Sequence, residues 1–301
     1  MISIITATYN RADLIERAIK SILHQNVNDW ELIIVDDCST DNTENVVKKY
    51  AKHDSRISYH KQEKNSGPSA AWNTGFHFAK GNFITFLDSD DEYLPYRLEK
   101  MKNYLEKNLD IDFCGSSILI IEDGKKTICS FPNNGFEKNF GILLKSNLNA
   151  LSGMNVMMHK KFVDKIGLFD ENIRNWEDAD FFIRAFQNGK FGFINEPLLL
   201  YYIHQNNISK RQSMDEFKYF FEKQFDLYKK YKLEYYFTKN YGKLSLQNGD
   251  KIQARKWLLI SLRHKQPILE KMKTLVHLFF SFLPKKSYFS FLKIYKTYKN
   301  K

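Results

Sequence analysis

The run Phe86-Leu87-Asp88-Ser89-Asp90-Asp91 places three carboxylates within four positions, directly after a strand's length of uncharged, mostly apolar residues, Asn82–Leu87. Like charges this close repel and raise one another's pKa, so folding alone gives no reason for the arrangement. A hard divalent cation removes the repulsion, because Mg2+ and Mn2+ take oxygen ligands and commonly share them with substrate phosphates. Asp88, Asp90 and Asp91 are therefore candidate metal ligands. They lie just past the carboxyl end of a strand, where α/β sheets put their ligands. The competing reading is a solvated acidic turn ahead of a helix near Leu94.

Further constellations join the triplet. Thr6-Ala7-Thr8-Tyr9-Asn10-Arg11 ends a first apolar run, and Val35-Asp36-Asp37-Cys38-Ser39-Thr40-Asp41 ends a second. Trp176-Glu177-Asp178 opens a helical pattern downstream, and His204 follows Tyr201-Tyr202-Ile203. Together with Gly67-Pro68-Ser69-Ala70-Ala71-Trp72-Asn73-Thr74-Gly75 and Ala79–Asp91, this set resembles the family 2 glycosyltransferases of GT-A fold, of the bacterial surface-polysaccharide type. The resemblance runs from about Ile2 to Ser209 in order and spacing. Any one motif could arise by chance; five in register are specific.

The resemblance implies roles. Tyr9 would stack on the base of a nucleotide-sugar donor, with Thr8 nearby. Asp37 would accept from the base ring N–H, a strong orienting contact that suits uracil, against the alternative of turn formation and capping before Thr43. Asn65, Gly67 and Asn73 would lie beside the donor, Gly67 letting backbone approach a ligand, while Asn73 could equally be a solvated helix residue. Asp90 would contact the metal, with Asp88 and Ser89 on the donor side and Asp91 able to replace either acid. His204 would complete the metal shell or touch the diphosphate, against a structural histidine. The family's Arg two positions earlier is Tyr202 here, so a phosphate contact from it is lost or moved. Asp178 would be the catalytic base, held ionised at a helix start, with Trp176 and Glu177 facing the acceptor; the alternative is an ordinary first-turn acid.

The elements that must position these groups read as alternating strands and helices. Strands are predicted at Ile2–Thr6, Glu31–Val35, Ile57–Tyr59 and Asn82–Leu87. Helices are predicted at Ala12–His24, Asp41–Tyr50 and Pro68–Ala79, the last with proline at its start and Gly81 at its end. Apolar runs without alternation suit strands buried on both faces. A hairpin follows (Ile111–Ile121 and Thr127–Phe131 about Glu122–Lys125), then a strand at Asn155–His159, a helix at Glu177–Gln187, and strands at Phe191–Ile194 and Leu198–Ile203. The expected fold class is α/β: a GT-A-like doubly wound mixed sheet flanked by helices over residues 1–210, then a helical C-terminal region over 211–301. Asp250–His264 has the spacing of a helical hairpin and loosely resembles one tetratricopeptide-type unit.

The chain has 301 residues, 43% of them apolar, enough for a large core. Three sparse cysteines suit a reducing cytoplasm. Met1–Ile5 enters a strand without a basic leader, so no signal peptide is expected, and no apolar run is long enough to predict a transmembrane helix. The net charge of +11 is localised: from Lys251 to Lys301 there are 13 basic residues against one acidic, and the rest carries 33 against 34. The tract Met272–Lys301 is apolar and basic at once, which suits peripheral membrane contact or a cap on the enzyme or a second subunit in a homo-oligomer. Nucleic acid is not expected as a partner.

The expectation is an inverting hexosyl- or N-acetylhexosaminyl-transferring enzyme. It would use Mn2+ or Mg2+ to move a sugar from a UDP-sugar to a hydroxyl of a glycan or lipid-linked acceptor, in the cytoplasm or at the cytoplasmic face of the inner membrane. A sugar nucleotidyltransferase would need a glycine-rich phosphate loop near the N-terminus, and residues 1–15 contain no glycine. A nicotinamide enzyme would need G-x-G-x-x-G after the first strand, which is absent. A non-catalytic membrane- or nucleic-acid-binding protein leaves the ordered acidic motifs unexplained.

Overall fold

Burial on both faces makes the central strands. Ile2, Ile4 and Ile5 of β1 (Ile2–Thr8) and Leu32, Ile33, Ile34 and Val35 of β2 (Trp30–Asp36) are shut off from solvent, as parallel strands rich in β-branched residues require. The computed structural model describes residues 1–130, 154–173, 175–204, 214–284 and 286–292, with Phe217 and Phe221 as backbone only. Two compact units result, Met1–Lys210 and Arg211–Lys301.

The first unit holds a mixed sheet that adds β3 (Ile57–Lys61), β4 (Phe83–Phe86), β5 (Glu92–Tyr93), β6 (Phe113–Glu122), β7 (Lys125–Cys129), β8 (Val156–His159) and β9 (Phe191–Ile203). Its order is β3-β2-β1-β4-β8-β6-β9-β5, with β7 hairpinned on β6. The strands β3, β2, β1 and β4 run parallel, β8 runs antiparallel to both neighbours, and β5 pairs antiparallel with β9. Parallel register sets Thr8 beside Asp36 and Ile5 beside Phe86, so the motif-bearing ends of β1, β2 and β4 emerge on one edge. This is the mixed, helix-flanked α/β sheet that the sequence leads one to expect.

The flanking helices are α1 (Ile15–Leu23), α2 (Thr43–Ala51), α3 (Pro68–Phe78), α4 (Arg97–Lys107), α5 (Lys160–Ile166) and α6 (Glu177–Asn188). Ile15, Ala18, Ile19 and Ile22 give α1 its buried stripe against the sheet. Helix α3 packs so closely on β1 that a Cβ at Gly75 would fall 2.2 Å from Ile5 Cγ2.

Several boundaries differ from the sequence reading. The helix expected near Leu94 starts at Arg97, because Leu94 donates its N–H to the Leu198 carbonyl at 3.0 Å and stays on the sheet edge with β5. The two strands expected at 191–194 and 198–203 are the single β9. Two register shifts opposite Ser116–Ile118 absorb Asn195 and Glu196 and then Leu198, on either side of Pro197, which has no N–H for the ladder. The hairpin turn is as expected, with Asp123 and Gly124 both at positive φ. Its second strand ends at Cys129; Phe131 lies outside the described residues. Helix α5 carries no strong sequence signal. All three cysteines are free thiols.

The second unit is helical: α7 (Met214–Lys230), α8 (Glu234–Asn248), α9 (Lys251–Arg263), α10 (Ile268–Phe280) and a helical stretch over 286–292. Leu246, Ala254 and Tyr288 form its small core, and the Asp250 side chain caps α9 by accepting the Gln253 N–H at 3.0 Å. No helix among the described residues is long and apolar enough to cross a membrane. The tail beyond residue 292 and the segment 205–213, with Ser209, lie outside the described residues.

Candidate active site

Two loops at the ends of β1 and β2 are stitched together. Asn10, at φ 51°, donates its N–H to Ser39 Oγ at 2.8 Å and accepts the Thr40 N–H on its side-chain carbonyl at 2.8 Å. Arg11 donates its N–H to Thr43 Oγ1 at 2.9 Å, and Ala12 donates to Asp41 Oδ2 at 3.0 Å. Asp36 is buried, accepting from the Ser39 N–H at 2.7 Å and the Tyr59 hydroxyl at 2.5 Å. Capping before Thr43 thus falls to Asp41, whose Oδ1 takes both the Thr43 N–H and hydroxyl. Thr8 is buried, while Tyr9 beside it is 43% exposed, an aromatic face open to a planar partner.

Asp37 holds the third loop. Its two oxygens accept the backbone N–H groups of Ser66 at 2.7 Å and Gly67 at 2.8 Å, and its carbonyl accepts from Asn65 Nδ2 at 3.2 Å. Gly67 sits at φ 92°, a conformation that favours glycine, and hands the chain to Pro68 at the first position of α3.

The acidic triplet lies past β4. Leu87 still pairs with Ile5, and the chain then turns so that the Asp91 N–H meets the Asp88 carbonyl at 3.1 Å. One oxygen from each of Asp88, Asp90 and Asp91 falls within 4.8 Å of the others. Strand β9 completes the wall, because β5 pairs with it immediately after the triplet. The Tyr202 N–H donates to Asp91 Oδ1 at 2.9 Å, and His204 Nε2 lies 2.9 Å from Asp90 Oδ2. Arg11 Nη2 stands 3.6 Å from the same Asp90 oxygen. Arg17 donates to the Asp90 carbonyl, pairs with Glu92 at 3.1 Å and stacks 3.7 Å above the Tyr202 ring, whose hydroxyl donates to Glu92.

Burial, then the charges of Asp90 and Asp178, push the Asp88 carboxyl up to about 8. Burial and the neighbouring Asp88 and Asp90 push Asp91 well above the usual carboxylate range. Burial, with all four aspartates behind it, also raises the Tyr201 phenol. The charges of Asp90 and Asp178 thus both act on Asp88, and those of all four aspartates on Tyr201. Asp91 Oδ2 is buried without a hydrogen-bond partner among the described residues. An all-oxygen donor set with an unsatisfied buried oxygen and mutual repulsion fits a hard divalent cation.

Asp178 arrives from a distant segment. It stands in the first turn of α6, where Ala179 donates its N–H to Asp178 Oδ1 at 2.6 Å, and burial raises its pKa against that bond. Helix α3 fixes the approach: Ser69 Oγ donates to the Ile173 carbonyl at 2.5 Å, and Asn73 spans the Phe169 backbone. The Asn73 amide gives 3.0 Å to the Phe169 carbonyl, takes 2.9 Å from its N–H, and gives 2.9 Å to Glu171. Buried Asp180 pairs with Arg184, which also holds the carbonyls of Ile166, Gly167 and Leu168. Trp176 and Glu177 are part-buried beside Asp178.

The sequence-predicted residues therefore gather at one edge, with qualifications. Asn73 is neither solvated nor open to the site: both amide atoms are engaged on the 169–171 segment. Thr8 and Ser89 are buried. Tyr202, where the family has Arg, uses its backbone on Asp91 and its ring under Arg17. Arg11, Arg17, Tyr201 and Ser69 went unassigned in the sequence, although Arg11 stands in the first motif. Their side-chain contacts join segments 73 or more positions apart, which a local pattern does not carry.

Residues 3–167 match the description "Glycosyl transferase family 2". The chain is 33% identical over 227 residues to the uncharacterized glycosyltransferase MJ1057 of Methanocaldococcus jannaschii, covering 73% of this chain and 77% of that protein. It is 33% identical over 208 residues to the GalNAc(5)-diNAcBac-PP-undecaprenol beta-1,3-glucosyltransferase of Campylobacter jejuni, covering 68% of this chain and 66% of that one. The crystal structure of S. aureus TarS 1-349 in complex with UDP-GlcNAc superposes with a TM-score of 0.62 at 17% identity, over 93% of this chain and 72% of that chain. Against a longer crystallised TarS chain, the match covers 42% of its length.

Proposed function

This chain belongs to glycosyl transferase family 2, and on that premise we propose that it moves a sugar from a UDP-sugar to a hydroxyl of a glycan or lipid-linked acceptor, with inversion at the anomeric carbon. The observation that carries the proposal is the cluster of Asp88, Asp90 and Asp91 at the carboxyl edge of the parallel strands, near enough to Asp178, some ninety residues on, for its charge to raise Asp88. The undecaprenol-linked substrate in the name of the Campylobacter relative supports the acceptor class and a role in cell-surface polysaccharide assembly. The UDP-GlcNAc complex of TarS supports the donor class. Three free thiols fit a reducing compartment, and we place the reaction in the cytoplasm.

Asp88, Asp90 and Asp91 would hold a Mn2+ or Mg2+ ion, with His204 orienting Asp90 or joining the shell. When bound, such an ion supplies Lewis-acid neutralisation of charge on the departing diphosphate. Tyr9 offers its exposed ring to the base, and Asp37 orients the base while fixing the Asn65–Gly67 loop beside it. Asp178 takes the proton from the acceptor hydroxyl as that oxygen attacks the anomeric carbon, and its raised pKa makes it a better base than a solvated aspartate. Trp176 and Glu177 line the acceptor side. With Asp88, Asp90 and Asp91 given to the ion and Glu177 to orienting the acceptor, Asp178 acts as the base and no carboxylate is assigned as a nucleophile, which supports a single displacement.

The test is a thermal-shift screen of nucleotide sugars with Mn2+, followed by NMR of the product's anomeric proton. A ligand that binds only the folded state raises its melting temperature. A UDP-sugar should stabilise the protein more than GDP- or ADP-sugars do, and an α-linked donor should give a β-linked product. Retained configuration, or no stabilisation by any nucleotide sugar, would contradict the proposal.

A further inference from the structure

Helix α10 turns polar groups, together with Phe280, toward the core of its own unit. The polar groups are Glu270, Thr274, His277 and Ser281. Glu270 pairs with buried Lys239 of α8 and, at 2.6 Å, with Lys273. Thr274 and Ser281 are fully buried; the Ser281 carbonyl accepts from Arg255 at 3.0 Å, and His277 Nδ1 meets the Tyr288 hydroxyl at 3.2 Å. Burial pulls the His277 pKa down to about 4, so it sits there neutral.

The opposite face is apolar and open. Ile268, Met272, Leu275, Val276 and Phe279 recur at three- and four-residue intervals and are 80%, 59%, 48%, 39% and 60% exposed. Residues at that spacing share one side of a helix, and contiguous apolar surface of this kind marks an interaction site. The helix spans 13 residues, about 20 Å at 1.5 Å per residue, too short to cross a bilayer but suited to lying in its interface.

Charge selects the partner. Lys271 on α10, and Lys265 and Lys286 in the segments before and after it, are exposed, and residues 251–301 carry 13 basic side chains against Glu270 alone, itself paired inward. A second copy would bring this positive field against itself. An anionic surface is attracted by it, and a bilayer also takes up the apolar side chains. We propose that the outward face of α10 docks the protein on an anionic lipid bilayer, with Met272 and Phe279 entering the interface and the lysines meeting headgroups. This stands on the second unit alone and does not depend on the transfer chemistry.

The test is vesicle flotation of the full chain with phosphatidylcholine vesicles, with and without phosphatidylglycerol, at low and high salt. Wild type should float with the phosphatidylglycerol vesicles at low salt, and binding should fall about tenfold or more in Met272→Glu/Phe279→Glu and in Lys271→Glu/Lys286→Glu. Melting curves of both variants check the fold. In Phe279→Trp, tryptophan emission should shift to the blue on phosphatidylglycerol vesicles and not on phosphatidylcholine alone, which tests the face even if a charged variant melts early. The proposal is overturned if wild type ignores both vesicles, if Met272→Glu/Phe279→Glu floats like wild type, or if Phe279→Trp shows no shift. It is also overturned if sedimentation finds a dimer that Met272→Glu/Phe279→Glu dissolves without any vesicle binding, which would give the face to a second copy.

Discussion

His204 Nε2 lies 2.9 Å from Asp90 Oδ2, joining the end of β9 to the loop after β4 across 114 positions of the chain. The contact exists because β5 pairs antiparallel with β9 immediately after the triplet, setting Glu92 against Leu200. His204 therefore fixes the direction of an acid that repulsion from Asp88 and Asp91 would otherwise turn away. His204→Ala is expected to raise the half-saturating Mn2+ concentration about 10- to 100-fold, the usual cost of losing a group that orients a metal ligand, with the melting temperature of the metal-free protein little changed. Titration of Mn2+ against turnover checks this; an unchanged half-saturation point would remove His204 from the site.

Asp88 should make the metal-free protein less stable as pH rises. Its folded pKa of about 8 lies above the ordinary 3.8, so the folded state binds the proton more tightly than the unfolded chain. Stability is therefore full below the ordinary value and is lost as pH rises through the folded one. Asp88→Asn removes that loss. Its melting temperature should match wild type near pH 4 and exceed it near pH 8, by about 1 kcal/mol or more, which is ~2–4 °C for a domain of this size. Melting curves across this range without metal decide it, and a gap that closes toward high pH would contradict the burial of a carboxyl here.

Asp178→Asn keeps size and one acceptor oxygen but cannot take up a proton. Turnover should fall by about 10²- to 10⁴-fold, the span of general-base catalysis, while donor affinity stays within a few-fold. Loss of an interaction made only in the transition state lowers kcat and kcat/KM together. Steady-state transfer and donor calorimetry on one preparation separate the cases: if donor binding collapses and transfer recovers at saturating donor, Asp178 belongs to the donor side, and Glu177 becomes the next base to examine.

Asn73 acts from outside the reacting groups. Asn73→Ala leaves the Phe169 N–H and carbonyl without their partner, a cost of about 1–3 kcal/mol, and loosens the segment that leads to Asp178. The expected result is a lower melting temperature with a reduced kcat and a nearly unchanged donor affinity. A variant that loses donor affinity while keeping its melting temperature would return Asn73 to the donor site.

How legible this was depended on range. The strands Ile2–Thr8 and Trp30–Asp36 declare themselves by uninterrupted apolar runs, and the triplet by charge density that folding does not call for. The Asp123-Gly124 turn is readable because its positive φ angles leave few residue choices. Strand β5 is two residues long and exists only because Leu198–Leu200 offer it partners, so no local pattern announces it. The engagement of Asn73 on Phe169, and of Arg17 on Asp90 and Tyr202, likewise requires contacts far apart in sequence. Asp37 shows the limit within a motif: its position was evident, but the use of both oxygens on Ser66 and Gly67 follows from the turn at Gly67, which only the fold supplies.

The central claim is that the aspartates after β4 hold a divalent ion through which a nucleoside diphosphate is bound, and calorimetry of UDP with and without Mn2+, on wild type and Asp90→Ala, tests it most directly. Wild type should bind UDP about tenfold or more tightly with Mn2+ than without, about 1.4 kcal/mol, and Asp90→Ala should lose that gain while melting like wild type without metal. Equal UDP affinity with and without Mn2+ in wild type, or an undiminished Mn2+ gain in both Asp90→Ala and Asp88→Ala, would contradict it.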